Sequence, residues 1–242
     1  MPPLPGTSVP SRLADLSFVE AGRRAAAGAV LAVPLGSTEQ HGPHLPLSTD
    51  TDIAVALCEG LASARKDIIV APPVAYGSSG EHAGFTGTIS IGQAALELLI
   101  VELGRSACDT FAHLLLVSAH GGNAEPVTRA VATLRGESRD VELFMPRWDG
   151  DPHAGAPETS MILSLAPERV RMELAVPGDT RPLADTWPLL RTGGIRAVTA
   201  TGILGDPTGA TPDEGAALLD RLTADLIHQV NGWVHADAAE SA

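Results

Sequence analysis

GAVLAVPL, Gly28 to Leu35, is a nearly continuous apolar run of strand length. Such a run marks a strand buried on both faces, and a strand of that kind belongs to a parallel sheet with helices packed above and below it. Working outward, the same grammar repeats. Ile53, Ala56, Leu57 and Leu61 recur at helical spacing across Thr51 to Ala64, and Ile68 to Pro72 (IIVAP) reads as a second strand. Leu96, Leu99, Ile100, Leu103 and Ala107 share one helical face. His113 to Ser118 (HLLLVS) is a third strand. The helix after it is expected to be capped by Asn123, with Pro126 in its first turn and Val127, Ala130, Val131 and Leu134 on its apolar side. Val141 to Met145 is a fourth strand, a short helical piece covers Met161 to Leu165, and an irregular region rich in proline and glycine follows. Thr211-Pro212-Asp213-Glu214 then supplies a threonine cap, a proline at the first helical position and a glutamate at the third, opening a last helix striped with Leu219, Leu222, Leu226 and Val230. Strand and helix alternate four times, so the fold class is α/β: a mostly parallel sheet with helices on both faces.

The 242 residues suit one domain spanning residues 1–242, and no linker divides them. The first 18 residues, with Pro2, Pro3, Pro5 and Pro10, are expected to be a loose leader, and residues 235–242 a frayed tail. That leader lacks both the basic start and the apolar core of a secretory signal, and no stretch of the chain is apolar enough for a membrane span. The expected location is therefore the cytoplasm, with no membrane partner. A net charge of −13 argues against a nucleic-acid partner, which would need a basic face. Cys58 and Cys108 both fall in helical stretches and read as buried reduced thiols.

Three polar clusters follow strands at their C-terminal ends, where ligands collect in such sheets. The first is GSTEQHGPHLPLSTDTD, with Glu39, His41, His44, Asp50 and Asp52. In an extended segment Glu39 and His41 point the same way, and Asp50 arrives just before a helix, at the positive end of its dipole. His120 follows the third strand and precedes two glycines, and His153 and Glu158 follow the fourth. From the residues alone the clusters could be polar loops, a hydrogen-bond network or a metal site. Nitrogen and oxygen donors without a thiolate suit zinc, manganese or iron, and so many carboxylates suit two ions better than one. His82, His113, His228 and His235 carry no ligand signal by their own placement. Gly36-Ser37-Thr38 and Ser78-Ser79-Gly80 lack the context of a nucleophile elbow, and no Lys-Ser/Thr pair follows the glycines of AHGGN as a phosphate loop requires. The stretch YGSSGEHAGFTGTISIG is too long for a turn and reads as a functional loop.

GSTEQHGPHLPLSTDTDIA, YGSSGEHAGFTGTISI, SAHGGN, DPHAGAPETS and GDPTGATPDEG, in that order, resemble the successive motifs of the creatininase family over nearly the whole chain. The resemblance implies a three-layer α/β/α sandwich, two divalent metal ions per subunit (Zn, Fe or Mn), hydrolysis of an amide-type C–N bond, and a hexamer-like homo-oligomer. It implies Glu39 and His120 as ligands of one ion, His41 of the other, Asp50 as the bridge, and His153 as the residue that assists proton transfer or holds substrate. One departure is visible. Creatininase has a glutamate ligand where this chain has Gly122, so Glu158 is expected to supply that carboxylate, as ligand or as general base.

Within the family, GEHAGFTGTISIG and the compact length are most similar to the creatininase-like peptidases of mycofactocin biosynthesis. Those act beside other enzymes of one pathway, on a ribosomally made peptide modified at its C-terminal Val-Tyr, and release the modified dipeptide. The expected substrate contacts are Ser79, Glu81 and His82 in the glycine-rich loop, with Gly121, Gly122 and Asn123 after His120. A small-molecule amidohydrolase of creatininase or formamide-deformylase type, and a non-catalytic assembly subunit, are the competing readings.

Overall fold

Four strands, β1 (Val30–Leu35), β2 (Ile68–Val70), β3 (His113–Ser118) and β4 (Asp140–Phe144), form one sheet in the order β2-β1-β3-β4. The computed structural model describes residues 11–240, the side chains from 235 onward excepted. Every pairing is parallel, with Leu31 opposite Ile69 and Leu114, and Leu35 opposite Ser118. Period-two alternation sends Val30, Ala32, Leu115 and Val117 to one face and Leu31, Val33, Leu114 and Leu116 to the other. Both sets are fully buried, which is why the strand sequences read as unbroken apolar runs.

Helices α1 (Phe18–Ala26), α3 (Gln93–Cys108) and α4 (Ala124–Gly136) cover the second face. The first is covered by α2 (Thr49–Ala64), α5 (Ala156–Leu165) and α7 (Pro212–Glu240). An eleven-residue α6 (Leu183–Gly193) lies outside both cores, with only Thr186 buried. This is the expected three-layer α/β/α arrangement. Cys58 and Cys108 are free, the first buried and the second half-buried. Among the described residues no helix is long and apolar enough to cross a membrane.

Several local expectations are corrected. Within the expected leader, residues 11–18 are tied down: Ser11 C=O accepts from Val70 N–H at 2.8 Å, and Ser17 caps α1 reciprocally with Glu20. Residues 1–10 lie outside the described residues. The backbone of α7 is helical to Glu240, through residues 235–240 of the expected tail. Thr211 does cap that helix, accepting from Glu214 N–H at 3.3 Å. Helix α2 begins at Thr49, which puts Asp50 inside its first turn. Helix α5 starts at Ala156 rather than near Met161, because Pro157 serves its first turn and Glu158 sits at the favoured end of its dipole. Asn123 makes no capping bond; its amide is used elsewhere.

Candidate metal centre

With the order β2-β1-β3-β4, the chain leaves β1 toward one side of the sheet and β3 toward the other. A crevice opens at such a reversal, beyond the carboxyl ends of the strands. The segments after β1 and β3 therefore face each other across it. Gly36 closes the end of β1 against α2: a Cβ there would stand 2.4 Å from Thr51 Cα, so only glycine lets the first turn of α2 come so near. That contact carries Asp50 to the crevice. The buried Asn123 amide locks the opposite wall, donating to Gly36 C=O at 3.0 Å and accepting from Ser78 N–H at 2.9 Å.

Glu39, His41, Asp50, His120, His153 and Glu158 are all buried at this crevice. The two oxygens of Asp50 face different imidazoles: Oδ1 is 3.2 Å from His41 Nε2, and Oδ2 is 3.3 Å from His120 Nδ1. The other nitrogen of His120 lies 3.3 Å from Glu39 Oε2, which also accepts from the Ser37 hydroxyl at 2.8 Å. Glu158 Oε2 accepts from Ala154 N–H at 2.5 Å. Ala154 is held at φ +53°, a left-handed conformation that costs a non-glycine residue about 1 kcal/mol or more. It is kept there between His153, which pairs through its backbone with Leu204, and the start of α5.

Burying carboxylates among imidazoles sets the charge pattern. Burial opposes every charge, yet His41 and His120 hold Asp50 ionised far below the usual carboxylate range. Against its own burial, His41 is carried up to about 10 by Asp50, with Glu158 and Glu39 adding to the pull. His120 is likewise raised, by Glu39 and Asp50. Burial lifts Glu158 to about 7, against the pull of His41 and with the repulsion of Asp50. His82 and His44 are lowered to about 4, and His153 is lowered well below the usual histidine range; in each case burial is the main cause.

Two charged imidazoles among ionised carboxylates hold protons in places that cations can take. The donor set fits divalent metal. Glu39 Oε1 and Asp50 Oδ2 are buried without a hydrogen-bond partner, a condition that costs free energy unless something else binds them. Among the described residues, three groups of donor atoms lie within 4.8 Å of one another: Glu39, Asp50 and His120; His41, Asp50 and Glu158; and Glu39, His41 and His153. Asp50 belongs to the first two.

A cavity of about 900 Å³ opens from this cluster. Glu81, His82, Gly121 and Gly122, four of the six residues expected to contact substrate, line it. Ser79 and Asn123 do not: both are buried behind the wall, Ser79 paired with the Ser37 hydroxyl and Asn123 with backbone. At Gly122 a Cβ would stand 2.2 Å from Ser78 O and 2.4 Å from Glu81 Oε1, so no side chain fits there. His44 bonds Thr159 Oγ1 at 2.9 Å and Asp52 pairs with Arg169 at 2.8 Å, which makes both supports of the fold.

Residues that the sequence did not single out complete the wall: Met145, Trp148, Leu183, Trp187 and Leu190 form an apolar side, with Arg191 beside them. Three other arginines are engaged elsewhere: Arg181 pairs with Asp179, Arg196 is held by Gly84 C=O, and Arg147 lines a neighbouring cavity. Gln40 is the other omission, buried between two of the site histidines. Only its position between Glu39 and His41 hinted at it.

The family profile for creatininase, described as creatinine amidohydrolase, matches residues 14–230. The mycofactocin precursor peptide peptidase of Mycolicibacterium smegmatis is 50% identical over 209 residues, covering 83% of this chain and 84% of that protein. The creatinine amidohydrolase of Pseudomonas putida is 29% identical over 240 residues, covering 85% and 90%. A crystal structure of creatinine amidohydrolase superposes with a TM-score of 0.81 at 25% identity, covering 93% of this chain and 98% of that one. Solved creatininases of the same fold, at 24% identity, include a manganese form (TM-score 0.79) and a Zn–Zn form (0.80), each covering 91% of this chain and 97% of its own.

Proposed function

This chain belongs to the creatininase family, and from that premise we propose that it is a metal-dependent peptidase acting on a modified precursor peptide, the substrate class named for its relative at 50% identity. The expected product is the modified C-terminal Val-Tyr dipeptide. The observation that carries the reading is the shared placement of Asp50, with one oxygen toward His41 and the other toward His120. In this assignment Glu39, Asp50 and His120 would hold one divalent ion and His41, Asp50 and Glu158 a second, with Asp50 common to both sets. Ions bound there supply Lewis acidity, lowering the pKa of water toward about 7 and polarising a carbonyl.

The chain's own residues do the rest. Gly121 and Gly122, on the cavity wall after His120, bring backbone close to the scissile carbonyl, where N–H groups can meet developing negative charge. His153, a neutral imidazole on the cavity lining, is placed to hold the substrate or assist proton transfer. The apolar side formed by Trp148, Leu183 and Trp187 receives a bulky apolar part of the substrate, and Arg191 meets an acceptor oxygen on it. A cavity of about 900 Å³ suits a peptide segment better than a single small lactam.

A hexamer-like homo-oligomer belongs to the same proposal. Phe18 on α1 is 89% exposed and its neighbour Val19 54%, apolar surface of the kind that interfaces cover. The deciding experiment incubates metal-loaded protein with the modified precursor peptide, with creatinine and with a formamide, and follows products by mass spectrometry. Release of the dipeptide is the expected result. Turnover of a small amide with no peptide cleavage would overturn it.

A further inference from the structure

Gln40 lies between the two residues that open the cluster, and its side-chain amide is held at both ends by backbone. Its Oε1 accepts from Gly42 N–H at 2.9 Å, and its Nε2 donates to Gly202 C=O at 3.0 Å. Backbone donors and acceptors cannot exchange roles, so the amide has one orientation. The second hydrogen on Nε2 then meets His82 Nδ1 at 2.9 Å. That nitrogen has to be the acceptor, and the proton of neutral His82 sits on Nε2. The Gln40 amide nitrogen is also 3.1 Å from His153 Nε2, but the main chain of the same residue settles that ring: Gln40 C=O lies 3.0 Å from His153 Nε2, which therefore carries its proton and cannot accept from the amide, leaving Nδ1 as the basic nitrogen.

We propose that Gln40 is a positioning residue that fixes the tautomers of both cavity histidines, His82 through its side chain and His153 through its carbonyl. His82 is thereby a hydrogen-bond donor and is barred from ligating metal through Nε2, although that atom is 3.1 Å from Glu39 Oε1. Ligation would require a lone pair on Nε2 and a proton on Nδ1, which would collide with the Gln40 amide hydrogen. Glu39 Oε1 lies off the N–H direction and has no hydrogen-bond partner, so the His82 proton remains available to an acceptor of carbonyl or carboxylate type in the cavity. His82 and His153, with ring centroids 4.5 Å apart, thus present opposite chemistry: one a donor, the other a base. The tautomers stand on geometry alone. What His82 donates to rests on the hydrolase reading.

The test is long-range ¹⁵N–¹H NMR of histidine-labelled, zinc-loaded protein, with His82 assigned by the signals lost in His82→Asn. Wild type is expected to show His82 and His153 as Nε2–H tautomers. Gln40→Glu keeps the size and the bond to Gly42 but offers no N–H, and should move the His82 proton to Nδ1 while leaving His153 unchanged. Gln40→Met should leave His82 as a mixture. In either variant kcat should fall by about 100-fold, the loss typical of a donor to developing charge, with KM and metal content nearly constant. An Nδ1–H His82 in wild type, or an unmoved tautomer in both variants, would overturn the proposal. The NMR result holds whichever amide proves to be the substrate, so failure of the peptidase reading remains distinguishable.

Discussion

Asp50→Asn removes one charge and almost no volume, at the position on which both halves of the centre depend. In the metal-free protein its carboxylate faces His41 and His120 at 3.2 and 3.3 Å, all three groups buried. Against its burial, His41 is carried from 6.5 to about 10, a net preference of ~5 kcal/mol for the charged imidazole in which the attraction of Asp50 is foremost. Removing one partner of a buried charged pair typically costs ~3–5 kcal/mol, so a large part of that attraction should go with the substitution. For the loaded enzyme the loss is larger in kind, because an amide cannot serve two cations as a carboxylate does. Removing even an outer partner of a metal ligand costs about 10- to 100-fold in affinity or activity, which sets a lower bound. The assays are elemental analysis of protein reloaded with zinc or manganese, and peptide cleavage followed by mass spectrometry. The expected outcome is loss of at least one ion per chain and a fall in rate beyond 100-fold. Retention of both metals at full rate would refute the bridging assignment and the reasoning from the Asp50 geometry.

Three further outcomes are expected. His41, raised above its unfolded value, stabilises the metal-free fold fully below pH 6.5 and loses that contribution as pH rises toward about 10. Glu158, raised from 4.5 to about 7, adds a loss of stability between those values. The melting temperature of metal-free protein should therefore fall from pH 6.5 to 10, less steeply in Asp50→Asn; a flat profile would contradict the burial of these charges. Gly122→Glu, which restores creatininase's glutamate, should destabilise the fold and confer no creatinine hydrolysis, because its Cβ would meet Ser78 O at 2.2 Å; a stable, creatinine-active variant would show that the loop adapts. Trp187→Ala, at a 53% exposed position on the cavity wall, should leave melting temperature and metal content unchanged. It should raise KM for the peptide by about 5- to 30-fold, equivalent to ~1–2 kcal/mol of lost contact, and an unchanged KM would remove α6 from the substrate path.

Legibility in the sequence followed the physics of each segment. The strands were readable because burial on two faces leaves almost no polar residue in β1 or β3. Helix α6 was not, since only Thr186 of its eleven residues is buried and Pro188 lies inside it, leaving no apolar period to find. Helix α1 could have been found: Ser17 and Glu20 carry the spacing of a reciprocal cap. Glu39, His41 and Asp50 stood out because one strand end carries all three. Gln40 did not, because its partners His82, His153 and Gly202 lie 42, 113 and 162 residues further along the chain.

By itself the sequence determined the fold class and the kinds of donor atom the protein can offer, since both are written in local period and residue chemistry. It also implied the family, through the order and spacing of its motifs. The tertiary structure alone decided which donors meet. The reversal between β1 and β3 sets His120 against Asp50 and Glu39, and the bridge from His153 to Leu204 swings Glu158 and His153 in from the far edge. It also separated histidines that look alike on paper: His41 and His120 charged by carboxylates, His82 and His153 left neutral and oriented by Gln40, and His44 turned to Thr159. The reason is that a histidine's role depends on the two atoms that face its ring nitrogens, and here those atoms come mostly from segments that only the folded sheet brings within 3.3 Å.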